Sequence, residues 1–163
     1  MIRHLYDQTV SLDGEWELFW ASHEELRKRG ECDKKDVTLS TPRLCTRAAL
    51  EAGGFAHMTT TVPNNFELSL FRAGLCEDPY FGTHTVEMQK YEVMHQFYTC
   101  RFAKPKEIDG WVLRFAEIDT AAEVFLNGKR ILECENMFLC HEADTAHEHI
   151  LLWCCGSLLA ESV

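Results

Sequence analysis

Ala122-Glu123-Val124-Phe125-Leu126-Asn127-Gly128, followed by Lys129–Cys134, is the stretch that decides the fold class. Ala122, Val124 and Leu126 alternate with Glu123 and Phe125, which is the period of a β-strand. Asn127-Gly128 then supplies two residues that tolerate positive φ, the chemistry of a tight hairpin turn. Lys129–Cys134 is therefore read as the returning strand. The same alternation recurs elsewhere. Trp16, Leu18 and Trp20 share one face of a strand that follows the turn dipeptide Asp13-Gly14. Tyr98, Cys100 and Phe102 alternate with Thr99 and Arg101, and Trp111, Leu113 and Phe115 with Val112 and Arg114 after Asp109-Gly110. Ile150-Leu151-Leu152-Trp153-Cys154-Cys155 is a continuous apolar run suited to a central strand covered on both faces.

Helical signals are short and confined to the first half. Ser22-His23-Glu24-Glu25 fits a capping box, with Gly30 as the stop. Asn65 can cap a turn or two over residues 66–73, closed by Gly74, and residues 46–52 form a further turn before Gly53-Gly54. Residues 31–36 are charged and read as a linker. Strands separated by turn signals, with helices as decorations, predict an all-β sandwich rather than βαβ units. Its expected core contains Trp16, Trp111, Phe115, Val124, Leu126 and Leu152.

A chain of 163 residues is one domain by size, long enough for a real core. A (β/α)8 barrel alone needs roughly 250 residues, so a sandwich plus a barrel does not fit. Hydrophobic residues at 46% and charged residues at 26% are ordinary globular composition, which argues against disorder. The net charge of -10 disfavours nucleic acid and anionic membrane as partners, since both are polyanions. No run approaches the ~20 apolar residues of a membrane span. Residues 1–7 carry charge and no apolar leader, so a cytoplasmic location is expected, with the eight cysteines reduced. There is no Cys-x-x-Cys to suggest a zinc ribbon or redox pair.

Two blocks carry a family resemblance. The first runs Val62-Pro63-Asn64-Asn65-Phe66-Glu67-Leu68, Ala73-Gly74-Leu75, Asp78-Pro79-Tyr80-Phe81-Gly82-Thr83-His84 and Phe97-Tyr98-Thr99-Cys100-Arg101-Phe102. The second is Phe115-Ala116-Glu117-Ile118-Asp119-Thr120, the hairpin above, and Asn136-Met137-Phe138. In this order they resemble the N-terminal sugar-binding jelly-roll domain of family 2 glycoside hydrolases, β-mannosidase-like branch, over about residues 11–153. The resemblance implies a galactose-binding-like β-sandwich over residues 1–163, the non-catalytic front end of a longer enzyme of carbohydrate metabolism. The parent would act on β-glycosides through a catalytic (β/α)8 barrel that this chain lacks. The implied partners are a β-linked sugar or oligosaccharide, that barrel, and, as an option, further copies of the chain. A free-standing carbohydrate-binding or protein-interaction module is the alternative.

Site candidates follow from the resemblance and from loop chemistry. In similar enzymes the Asp-Pro-Tyr loop reaches over the barrel and helps shape the sugar pocket. Pro79 fixes φ and Gly82 permits a bend, which would hold Tyr80 and Phe81 in an irregular loop. Aromatic faces suit sugar rings, which are apolar above and polar around the edge. Where relatives end this motif in Asn, this chain has His84, and where they have Gly in the Val-Pro-Gly-Asn motif it has Asn64, a residue tolerant of left-handed backbone. Asn136 stands nearest to an Asp that contacts sugar and a cation in the β-galactosidase branch. The candidate substrate-binding residues are thus Asp78, Tyr80, Phe81, His84 and Asn136, expected on one end of the sandwich. A loop that only packs between domains stays open as the other reading of 78–84. His141, His147 and His149 with Cys140 and Glu142 lack a convincing fourth ligand, so neither metal nor cofactor is expected. No catalytic residue carries over, because the family's acid/base and nucleophile glutamates belong to the barrel.

Overall fold

A computed structural model describes residues 9–32, 42–102, 112–119, 121–144 and 159–162. Eight strands build it: β1 Gly14–Ser22, β2 Ala56–Val62, β3 Met94–Phe102, β4 Val112–Phe115, β5 Ala122–Leu126, β6 Lys129–Cys134, β7 His141–Asp144 and β8 Leu159–Ser162. Four short helices accompany them: α1 His23–Lys28, α2 Arg47–Gly53, α3 Phe66–Arg72 and α4 His84–Met88. Six strands form one sheet in the order β2-β1-β3-β8-β5-β6, and β4 pairs with β7 in a second. The neighbours are antiparallel except at β8, which runs parallel to both β3 and β5. The result is a strand-dominated β-sandwich with short helical decorations, as the alternation predicts.

Period two explains how the large sheet is filled. Trp16, Leu18, Tyr98, Val124 and Leu126 point to one face and pack with Phe115, Ile118, Phe66 and Leu70. The Trp16 indole satisfies its N–H on the Leu12 carbonyl at 2.8 Å, so the ring is buried without an orphaned donor. Phe19, Ala21, Phe97 and Phe125 point the other way, into a second cluster with Leu26, Cys32, Leu44, Leu50 and Phe55. That opposite face is closed by α1, by α2 and by the 3₁₀ turn Pro42–Leu44 that precedes it. All five residues of β5 are therefore buried, including Glu123. Its carboxylate accepts from Arg130 Nη1 at 2.6 Å, and that pairing holds the guanidinium pKa above its ordinary value.

Local chemistry sets the element ends. Ser22 caps α1 by accepting from the Glu25 N–H, Thr46 caps α2 through Ala49, and Asn65 caps α3 through Leu68. Asn127 (φ 51°) and Gly128 (φ 78°) make the β5–β6 turn with both residues left-handed. Several expectations need correction. Asn64 is not left-handed: its side chain instead donates to Ser69 Oγ at 3.0 Å. The start of the supposed linker, Glu31-Cys32, is buried, and β2, β7, β8 and α4 are elements the alternation did not reveal. Trp111, Leu152, His147, His149 and the run 150–155 lie outside the described residues.

Candidate functional site

The site is built on α3. Ser69 gives its one hydroxyl proton to the Asn65 carbonyl at 2.8 Å, so it accepts from Thr60 Oγ1 at 2.7 Å and from Asn64 Nδ2 at 3.0 Å. This knot ties the start of α3 to β2. At the same point Phe66 meets Trp20 and Tyr91 edge-on, with ring centroids 5.9 and 5.7 Å away. Trp20 lies near the end of β1, and Tyr91 just precedes β3, so the Phe66 ring reaches toward the end of the large sheet where β1 stops and β3 starts.

Onto this base folds the loop 78–84. The Asp78 carboxylate accepts from the Tyr80 N–H at 2.9 Å, and its carbonyl accepts from the Phe81 N–H at 3.1 Å. The His84 Nδ1–H donates to that same carbonyl at 3.0 Å, which fixes Nδ1 as the protonated nitrogen because a carbonyl can only accept. Thr85 Oγ1 closes the clasp on the Pro79 carbonyl at 2.8 Å. Asp78 and His84 are therefore used to shape the loop. Tyr80 and Phe81 are left 73% and 70% exposed, the Tyr80 hydroxyl accepting from Asn65 Nδ2 at 3.3 Å.

Beside Tyr80 opens a cavity of about 300 Å³, lined by Asn65, Glu67, Pro79, Thr85, Met88 and neighbours. Gln89 and Glu92 complete its wall. Its size and mixture of an aromatic ring, amides and carboxylates suit one polyhydroxylated ring: the phenol can face C–H groups while the amides and carboxylates take hydroxyls. Of this wall the sequence pointed only to Tyr80 as a site residue. Thr85, Met88, Gln89 and Glu92 recur at helical spacing, a signal that was readable once His84 is seen to start α4.

Asn136 stands in a different loop. It follows β6, whose last residue, Cys134, pairs with Ala122 at the start of β5. Because β5 and β3 both run parallel to β8, that start lies at the same end of the sheet as the start of β3. The Asn136 side chain accepts from the Phe138 N–H at 2.9 Å, and its carbonyl accepts from His141 Nε2 at 3.0 Å. Phe138 beside it is 86% exposed. The structure thus groups Asp78, Tyr80, Phe81 and His84 in one clasped loop and holds Asn136 separately by its own bonds. His141 is spent on Asn136, and Cys140 accepts from Arg114 at 3.1 Å.

Comparison with known proteins agrees with this architecture. Residues 32–149 match the family described as glycosyl hydrolase 2 galactose-binding domain-like. Beta-mannosidase B of Thermothelomyces thermophilus is 38% identical over 84 residues, 50% of this chain and 10% of that protein. A probable beta-mannosidase of Caenorhabditis elegans is 31% identical over 84 residues, 50% of this chain and 9% of its own length. Among solved structures, the beta-D-mannosidase of Dictyoglomus thermophilum superposes with a TM-score of 0.60 at 28% identity, covering 89% of this chain and 14% of that one. The beta-glucuronidase of an uncultured Clostridium species shares the fold, with a TM-score of 0.56 at 20% identity over 96% of this chain and 24% of its own. The chain spans about a tenth of the curated relatives it matches. With the match extending over most of its length, the chain belongs to the glycosyl hydrolase 2 galactose-binding domain-like family.

Proposed function

We propose that this chain is the sugar-side, non-catalytic domain of a longer β-mannosidase-like glycoside hydrolase, and that the loop 78–84 and the loop at Asn136 face the parent's active site. The observation that carries the reading is the combination of the family match over 32–149 with 38% identity to a beta-mannosidase. The geometry supports it. Tyr80, Phe81 and Phe138 are exposed, and a cavity with Glu67 and Glu92 in its wall opens beside Tyr80. In this reading the clasped loop presents an aromatic edge to the sugar and to the catalytic barrel. Asp78 and His84 act on the substrate only by fixing the position of Tyr80 and Phe81.

Pure chain should not hydrolyse aryl β-mannoside, because a retaining glycosidase needs two carboxyls about 5 Å apart across the bond. Grafted in place of the matching domain of the Thermothelomyces enzyme, the chain should restore aryl β-mannoside hydrolysis. Tyr80→Ala with Phe81→Ala in that chimera should then lower kcat/KM at least tenfold while leaving the domain folded. A soluble, folded chimera without activity, or one indifferent to the double change, would overturn the proposal. Weak or absent monosaccharide binding by the isolated chain is expected, since one wall of a pocket buries little ligand.

A further inference from the structure

On the face of the large sheet opposite α3, three soft or borderline donors converge. His23 is the first residue of α1, His95 the second of β3, and Cys32 lies beyond the α1 terminus. The antiparallel register that pairs Ser22 with Met94 brings the two histidines together, and the His23 N–H reinforces it on the Val93 carbonyl at 3.0 Å. The turn that returns the chain after α1, with the Glu31 N–H on the Leu26 carbonyl at 2.9 Å, delivers Cys32. His23 Nδ1 is 3.1 Å from His95 Nε2 and 3.6 Å from Cys32 Sγ, and all three atoms lie within 4.8 Å of one another. Cys32 and His95 are buried while His23 is half-buried, so the cluster has a dry interior and one side toward solvent.

We propose that His23, Cys32 and His95 form a binding site for one zinc-class divalent ion. Bond lengths of about 2.0–2.1 Å to imidazole and about 2.3 Å to thiolate set tetrahedral edges of roughly 3.3 Å between nitrogens and 3.6 Å between nitrogen and sulfur. The two separations fall close to these edges; the His23 and His95 nitrogens face each other across their hydrogen bond, so each ring turns by roughly 35° to aim its lone pair at the ion. A mixed thiolate and imidazole set selects zinc over magnesium or calcium, which prefer oxygen. Binding forms one bond from sulfur and one from each imidazole. The thiol proton leaves to solvent, and whichever ring donated in the His23–His95 pair carries its N–H on the other nitrogen. Both rings stay neutral, and water takes the fourth position. The ion then fastens the segment after α1 to the junction of β1 and β3.

The test is titration of the reduced, chelator-stripped chain with Zn(II) and with Co(II) as a spectroscopic probe. One equivalent should bind, giving four-coordinate cobalt absorption with a thiolate charge-transfer band, and Zn(II) should raise Tm. Cys32→Ser should abolish the charge-transfer band. His23→Gln, at a half-buried position that does not carry the core, should weaken zinc at least tenfold and abolish the Tm shift. Cys140→Ser with His141→Gln should change neither. Failure to bind one equivalent, or binding that survives His23→Gln unchanged, overturns the site. So does loss of binding through the Cys140/His141 pair instead.

Discussion

One face of the six-stranded sheet is filled with hydrocarbon apart from the Thr60–Ser69 hydroxyl pair and the Tyr98 phenol, whereas the other mixes phenyl rings with imidazole, hydroxyl and carboxylate. On the first, Trp16, Leu18, Val124 and Leu126 meet the small β4–β7 sheet residues and α3. On the second, Phe19, Phe97 and Phe125 share their surface with His95, Thr99 and Glu123, all buried. Burial holds the His95 imidazole neutral, its pKa pushed down to about 4 with a smaller contribution from His23. The difference teaches where the fold takes its risks. The first face needs mainly volume, while on the mixed face Glu123 is answered by Arg130 of β6 and His95 by His23 of α1.

If both faces are true cores, truncating a ring on either should be equally damaging. Trp16→Ala and Phe97→Ala are each expected to cost about 3–5 kcal/mol in urea unfolding. A cost below about 1 kcal/mol for Phe97→Ala would demote the helix-covered face to a surface layer. A second measurement probes the helical cover itself. A Cβ at Gly53 would collide with the Phe55 ring, which lies under the Arg29 guanidinium at 4.4 Å, while Arg29 also donates to the Gly53 carbonyl at 2.6 Å. Gly53→Ala should therefore destabilise by about 1–3 kcal/mol, in the range for overpacking, although alanine is the better helix former.

Smaller effects sharpen the contrast. The buried Thr99 hydroxyl has no hydrogen-bond partner among the described residues, so Thr99→Val should be neutral or stabilising by up to about 1 kcal/mol. A loss of that size instead would reveal a partner for the hydroxyl. Tyr80→Ala with Phe81→Ala, on the loop 78–84, should move stability by no more than about 0.5 kcal/mol, because both rings are exposed. A larger loss would make the loop structural and count against its proposed role in recognition.

The hydrocarbon face was legible in the sequence, because Trp16, Leu18 and Leu126 fall at period two between unmistakable turns. The mixed face was not. Phe19, Phe97 and Phe125 occupy the positions that alternation assigns to solvent, and only the covering helices, joined by tertiary contacts, explain why they are apolar. The loop 78–84 was legible through its motif, but the uses of Asp78 and His84 were not: both side chains fold back on Asp78–Tyr80 backbone, which no residue identity announces. Cys32 was hidden for a similar reason. It sits in a stretch of charge, and its histidine neighbours are 9 residues away on one side and far along the chain in β3 on the other.

The order of the large sheet leaves β2 and β6 at its rims, and the two rims are defended unequally. The β6 rim carries Lys129, Arg130 and Glu133 and is distorted by an irregularity opposite Val124 and Phe125, features that discourage another strand from docking. The β2 rim reads Ala56-His57-Met58-Thr59-Thr60-Thr61-Val62, with no fixed charge and with β-branched residues in sequence. An edge of this composition, with no strand on its outer side among the described residues, is the kind to which a further strand can add. Concentrated solutions should accordingly scatter light through strand addition at β2, and Thr61→Lys, at an exposed position on that rim, should suppress the scattering without loss of fold.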